Sequence, residues 1–122
     1  MRPRDPRTEP PLKTAVLPFI SVIVPYLNQS DQLRACLRSL EMQDYPGDRF
    51  EVIVVDNGSR ELPRAIVSEF ANVRLEQELT PGPGPARNHG VTVARGEVLA
   101  FIDADELAVR GWLMSIGYLF SA

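Results

Sequence analysis

The stretch that most limits how this chain can fold is Val98-Leu99-Ala100-Phe101-Ile102, an apolar run that leads directly into Asp103-Ala104-Asp105-Glu106. Aliphatic and aromatic residues bounded by Gly96-Glu97 on one side and by acids on the other read as a fully buried strand. Such a strand delivers two carboxylates, one residue apart, to the rim of a sheet. Carboxylates held close together repel, and one takes up a proton unless a cation intervenes. Hard oxygen donors suit Mg²⁺ or Mn²⁺, which keep several waters and complete their shell with substrate phosphates. Asp103 and Asp105 are therefore candidate metal ligands in a site for a phosphate-bearing molecule. The same two residues are also compatible with capping a helix that follows them.

Earlier segments repeat the pattern of apolar strand, polar end and amphipathic helix. Ile20-Ser21-Val22-Ile23-Val24 reads as a strand stopped by Pro25, which cannot donate to a sheet ladder. Tyr26-Leu27-Asn28-Gln29 is a loop, and Leu33, Cys36, Leu37 and Leu40 then form one apolar helical stripe behind a Ser30 cap. Phe50 to Val55 is a second strand that ends on Asp56-Asn57-Gly58-Ser59. Pro63 sits near the start of a helix with inner residues Leu62, Ala65, Ile66 and Phe70, and Val73-Arg74-Leu75 is a short third strand. Pro81-Gly82-Pro83-Gly84-Pro85 reads as an extended connection that cannot be helical, after which Pro85 opens a helix through Ala86, Arg87, Asn88 and His89 to about Gly96. A last helix, about Gly111 to Phe120, buries Trp112, Leu113, Ile116 and Phe120.

Strands alternating with helices imply an open, mainly parallel sheet with right-handed crossovers and flanking helices, a Rossmann-like α/β fold. Ligands of such sheets lie outside the carboxyl ends of the strands. Tyr26, Asn28, Asp56, Asp103 and Asp105 all fall there, a convergence that packing does not explain and a nucleotide-phosphate site does.

Composition excludes some classes. The net charge of −3 over 122 residues argues against a nucleic-acid binder that works through bulk positive charge. The single cysteine, Cys36, cannot form an internal disulfide and reads as a small buried hydrophobe, consistent with a reducing, cytoplasmic compartment or the cytoplasmic face of a membrane. No apolar run is long enough to span a membrane. Residues 1–18, rich in proline and arginine, read as a disordered leader, and residues 19–122 as the folded domain.

Four blocks in order resemble glycosyltransferase family 2 on the GT-A fold. They are Ser-Val-Ile-Val-Pro-Tyr-Leu-Asn at 21–28, Glu-Val-Ile-Val-Val-Asp-Asn-Gly-Ser at 51–59, Gly-Pro-Ala-Arg-Asn-His-Gly at 84–90 and Gly-Glu-Val-Leu-Ala-Phe-Ile-Asp-Ala-Asp at 96–105. The resemblance implies binding of a nucleotide-diphospho-sugar donor, a UDP-sugar for preference, with Mg²⁺ or Mn²⁺. It implies that Pro25 and Tyr26 line the base pocket and that Asp56 accepts from a ring N–H of the base. Asn28 lies in the nucleotide-binding loop. Arg87 lies near the base or diphosphate, Asp103 reaches the ribose or sugar, and Asp105 ligates the metal. Asn57 stands where many relatives carry a second acid. Family members continue into an acceptor-binding half that supplies the catalytic carboxylate. The expectation is thus a donor-binding half, truncated at its C-terminal side, that binds a donor without transferring sugar to a sugar, lipid or protein acceptor. Self-association through the last helix accompanies that expectation.

Other classes fit less well. Gly82-Pro83-Gly84 begins a dinucleotide fingerprint, but Arg87 takes the place of its third glycine. A sugar-nucleotidyltransferase needs a glycine-rich basic loop after the first strand, and Tyr26 to Gln29 is not one. A non-catalytic nucleotide-sugar binding or assembly module is the remaining alternative.

Overall fold

The computed structural model describes residues 16–122. Most of the expected leader, residues 1–15, lies outside them. Val16 to Pro18 do not: Val16 and Ala122 exchange backbone hydrogen bonds, and the buried Pro18 carbonyl accepts from the Tyr45 hydroxyl.

The elements run β1 (Ile20–Tyr26), α1 (Ser30–Glu41), β2 (Phe50–Asp56), α2 (Arg64–Val67), β3 (Val73–Gln77), α3 (Pro83–Val93), β4 (Val98–Phe101) and α4 (Trp112–Leu119). The strands form one open sheet in the order β3-β2-β1-β4, every pair parallel. Leaving β1, the chain builds outward through β2 and β3, then returns to place β4 on the other side. The sheet thus has its topological switch point between β1 and β4, which is where such folds open a crevice.

Side-chain alternation sorts the two faces. Ile20, Val22, Val24, Phe50, Val52 and Val54 join Leu33, Cys36, Leu37 and Leu40 of α1 and Leu113 of α4 in the main core. Ile23, Ile53 and Val55 face the other way and pack on Ala86 of α3.

Several expectations are corrected. Pro25 does not stop β1; the strand continues to Tyr26, with Pro25 in register with Val55. The Ile23 carbonyl accepts from the Ile102 N–H, so Pro25, two residues on, turns its missing donor toward the same neighbour beyond the last β4 pairing. Ser30 is the first residue of α1, and the Gln29 carbonyl, not a serine side chain, starts the helix. Pro83-Gly84-Pro85 is helical, forming the first turn of α3. First-turn N–H groups lack intrahelical acceptors, so prolines there cost no hydrogen bond. Gly82, at φ 117°, makes the sharp entry. That helix ends at Val93, short of Gly96. The helix after Pro63 is a single turn that buries Ile66 and Val67 while Ala65 is exposed. β4 is not fully buried: Leu99 and Phe101 are 36% and 44% exposed, because no described element covers that face of this edge strand. Phe120 lies beyond α4 and is 57% exposed.

One buried charge stabilises the amino edge of the sheet. Glu51 accepts from the Ser21 hydroxyl at 2.7 Å, the Arg95 N–H at 2.8 Å and Arg74 Nε at 3.2 Å. Burial pushes this carboxyl up, but the Ser21, Arg95 and Arg74 bonds together outweigh it and hold it below the usual carboxylate range. Its contribution is therefore complete above the unfolded-state value and is lost as pH falls through the folded one. Glu51→Gln should cost about 1–3 kcal/mol at neutral pH, the scale of a buried charged hydrogen-bond network. It should also flatten the acid limb of a urea-stability profile between pH 7 and the carboxylate range. An acid limb as steep as that of the parent protein would rule Glu51 out as its source.

Candidate functional site

At the carboxyl edge, beside the switch point, a cleft of about 420 Å³ is lined by Pro25, Tyr26, Asn57, Arg87, Asp103 and Asp105 together with Gly82 and its flanking prolines. Each wall follows from its element. β1 brings Pro25 and Tyr26, the start of α3 brings Pro83 and Arg87, and the segment after β4 brings both aspartates. Ile102 and Ala104 are buried in the core, so the alternate residues Asp103 and Asp105 are turned outward together.

The aspartates are not helix caps. No helix begins after them until Trp112. They belong instead to a tight turn: the Asp103 N–H donates to Glu106 Oε1 at 2.8 Å and the Glu106 N–H to the Asp103 carbonyl at 2.9 Å. The Cys36 thiol donates to the same carbonyl at 3.7 Å from below. Burial first, then the nearby Glu106, Asp105 and Asp103 charges, pushes that thiol up to about 12, so Cys36 packs and does not react. Arg87 Nη2 lies 3.6 Å from Asp103 Oδ1, a half-exposed pair worth little to stability but placing a cation beside the acids.

Asp56, expected at the base pocket, lies behind Tyr26 and is not among the residues that line the cleft. It ends β2 in register with Tyr26 and on the same face, and it is fully buried. Oδ2 accepts from the Gly58 and Ser59 N–H groups at 3.1 and 3.2 Å, while Oδ1 is buried with no partner among the described residues. An unpaired buried acceptor costs roughly 1–3 kcal/mol, so Oδ1 calls for a donor from water or a ligand. Burial, ahead of the Asp56 charge, raises the Tyr26 phenol above its ordinary value and keeps it neutral. Asn28, at φ 52°, lies across Tyr26 from the main cleft and lines a second opening of about 330 Å³. Its Oδ1 accepts from the Arg60 N–H and its own N–H donates to Ser59 Oγ, both at 2.9 Å, so it clips the two loops together.

Asn57 has a structural role that the sequence reading did not assign. Nδ2 donates to the Glu78 and Thr80 carbonyls at 2.7 and 2.8 Å, and Oδ1 accepts from the Gly82 N–H at 2.8 Å. It holds the proline-rich wall against the end of β2, which an acid at this position could not do, having no N–H to donate. The Asp103-x-x-Glu106 spacing, a reciprocal turn signature, was the available signal for Glu106.

The acids suit a divalent cation by their chemistry. Among the described residues no three His, Cys, Asp or Glu side chains converge as a metal cage. Two outward carboxylates beside an open cleft match a hard cation that draws its remaining ligands from water and phosphate.

The sequence model described as Glycosyl transferase family 2 matches residues 21–116. Glycosyltransferase AglE of Haloferax volcanii is 37% identical over 106 residues, 82% of this chain and 34% of the relative. Among solved structures, Staphylococcus aureus TarS in complex with UDP-GlcNAc superposes with TM-score 0.75 at 35% identity, covering 81% of this chain and 30% of that one. The mannosyltransferase PcManGT from Pyrobaculum calidifontis, in complex with GDP-Man and Mn²⁺, gives 0.76 at 30% identity, covering 86% and 33%. The chain spans about a third of the length of these three proteins.

Proposed function

This chain belongs to glycosyl transferase family 2, on a GT-A fold, and on that premise we propose that its carboxyl-edge cleft binds a nucleotide-diphospho-sugar, a UDP-sugar for preference, as donor for transfer to a hydroxyl acceptor. The observation that carries the reading is the meeting of Asp103, Asp105 and Arg87 in one cleft with Pro25 and Tyr26. Asp105, with Asp103 beside it, would hold Mg²⁺ or Mn²⁺. When bound, that cation supplies Lewis-acid stabilisation of the charge on the departing diphosphate. Arg87 adds a fixed positive charge for the same oxygens. Tyr26 and Pro25 flank the base, and Asp56 Oδ1 is the acceptor for its ring N–H.

The acceptor hydroxyl needs a base within hydrogen-bond reach. The carboxylates lining the cleft are Asp103 and Asp105, both assigned to the donor and metal, so the proposal places that base outside the described residues. The exposed Leu119 and Phe120 support a second element of the reading, self-association through α4, which sedimentation at increasing concentration would reveal.

Asp56→Asn tests the base contact. The variant keeps one oxygen for the Gly58 and Ser59 turn but presents an NH₂ group where the ring N–H would sit. UDP affinity should fall by roughly 1.5–3 kcal/mol, the scale of a charge-assisted bond, while the melting temperature changes little. Calorimetry that finds UDP binding unchanged removes Asp56 from the base pocket. Tighter binding of GDP than of UDP would change the base and leave the site.

A further inference from the structure

His89 faces away from the cleft, yet it joins the wall of the cleft to the sheet. Nε2 lies 3.1 Å from Glu76 Oε1 and Nδ1 lies 3.2 Å from Glu78 Oε1. Carboxylates only accept, so both ring nitrogens meet their partners well only when both carry hydrogen, as in the imidazolium. The partners are tied in turn. Glu76 Oε2 takes Arg74 Nη1 at 3.0 Å, and Glu78 Oε2 takes the Thr80 N–H at 3.0 Å. The Glu78 and Thr80 carbonyls then accept from Asn57, which holds the Gly82 N–H. One cation on α3 is thus bonded to both acids that carry the chain from β3 into the proline-rich wall. Two residues before it on the same helix stands Arg87.

We propose that His89 is a positioning residue: as an imidazolium bridging Glu76 and Glu78 it pins α3 and the 78–83 wall together, and so sets the donor-binding geometry of Arg87. This rests on the donor-site reading above. Removing the proton leaves one ring nitrogen presenting a lone pair to a carboxylate. Two glutamates then repel each other across the neutral ring, and the wall loosens. The charged groups facing His89 are Glu76 of β3 and Glu78 just after it, Arg74 behind Glu76, and Glu51 of β2 behind Arg74; β1 contributes only Ser21, Ile23 and Pro25 to that face. The Glu76 bond first, with Glu78 assisting against burial, raises the imidazole above its ordinary value. A group shifted in this direction stabilises the clamp fully at low pH and is lost as pH rises through the folded-state value.

The test uses the 122-residue chain, with His89→Gln and Glu78→Gln, over about pH 5 to 9, the span of ordinary imidazole titration extended upward for a raised one. Two readouts need no ligand. NMR should place the imidazole midpoint above the ordinary value of about 6.5, and lower in Glu78→Gln. Amide exchange at Gly82 and Ala86, corrected for intrinsic base catalysis, should accelerate several-fold through that midpoint in the parent protein and be fast throughout in His89→Gln. The third readout is UDP affinity with Mn²⁺, which should weaken several-fold over the same range in the parent protein only; His89→Lys should restore binding at the alkaline end. An ordinary midpoint, or exchange in His89→Gln that matches the parent protein at every pH, overturns the clamp. If His89→Gln fails to fold, the parent titration and Glu78→Gln still decide it. Absence of UDP binding in every protein, with the exchange and titration results as expected, would refute the donor reading and leave the clamp standing.

Discussion

Asp105→Ala is expected to abolish the metal-dependent part of nucleotide-diphosphate binding, about a 100-fold loss of affinity in Mn²⁺, or about 2.8 kcal/mol at 1.4 kcal/mol per decade. The reason is charge. Asp103 and Asp105 bring two negative charges to a cleft in which Arg87 is the cation among the lining residues. A diphosphate entering that cleft alone meets net repulsion. A divalent cation between acids and phosphate reverses the sign, and Asp105 is the acid not already beside a guanidinium among the described residues. The substitution should leave folding intact, because Asp105 is exposed and the adjacent turn is held by Glu106 and the Asp103 backbone. Calorimetry with UDP in Mn²⁺ and in chelator, on parent and variant, gives the answer. Equal affinity of the parent protein in the two conditions would refute the metal assignment. Loss in both conditions alike would make Asp105 a direct nucleotide contact instead.

The second large effect is on stability. Gly96→Ala should destabilise the fold by about 3 kcal/mol, the upper end of overpacking costs, and so consume much of a marginal folding free energy. A Cβ there would stand 2.6 Å from the Ser21 N, 2.6 Å from Ser21 Oγ and 2.8 Å from the Phe19 carbonyl oxygen. Two of those atoms are backbone at the start of β1, the strand that carries Pro25 and Tyr26, and the third is the hydroxyl bonded to Glu51. Neither backbone atom can yield without tearing the β1–β4 pairing, which begins at Ile20 and Val98. Gly84→Ala is the contrast: apart from its chain neighbours and its own helix backbone, nothing lies within 4 Å of the added Cβ, and the cost is only that of a Cβ-bearing α-region residue just before Pro85. Urea unfolding should move the midpoint well down for the first and far less for the second, with slopes unchanged. A midpoint for Gly96→Ala near that of the parent protein would mean that the β1–β4 contact relaxes at little cost.

The order of strands and helices, the apolar stripe of α1 and the gathering of Tyr26, Asn28, Asp56, Asp103 and Asp105 at one edge could all be read from residue order. These features are local. Periodicity of two or 3.6 is set by the backbone, and a parallel sheet built from alternating elements must bring every strand end to the same side. Three of the four family blocks lie in those same strand-end segments and the fourth in α3 beside them, so fold and chemical class were legible together. What residue order left open depended on neighbours that are remote in sequence. Pro25 stays in β1 only because β4 ends before reaching it. Pro83 and Pro85 are helical because nothing in a first turn needs their missing donors. Asp56 is buried with an unpaired oxygen because β1 and β2 are in register at Tyr26. Asn57 and His89, polar side chains with no periodic signature, acquire their roles from carbonyls, a backbone N–H and carboxylates 11 to 25 residues away. A hydrogen bond is decided by the last ångström of packing, and only the assembled sheet and helices supply it.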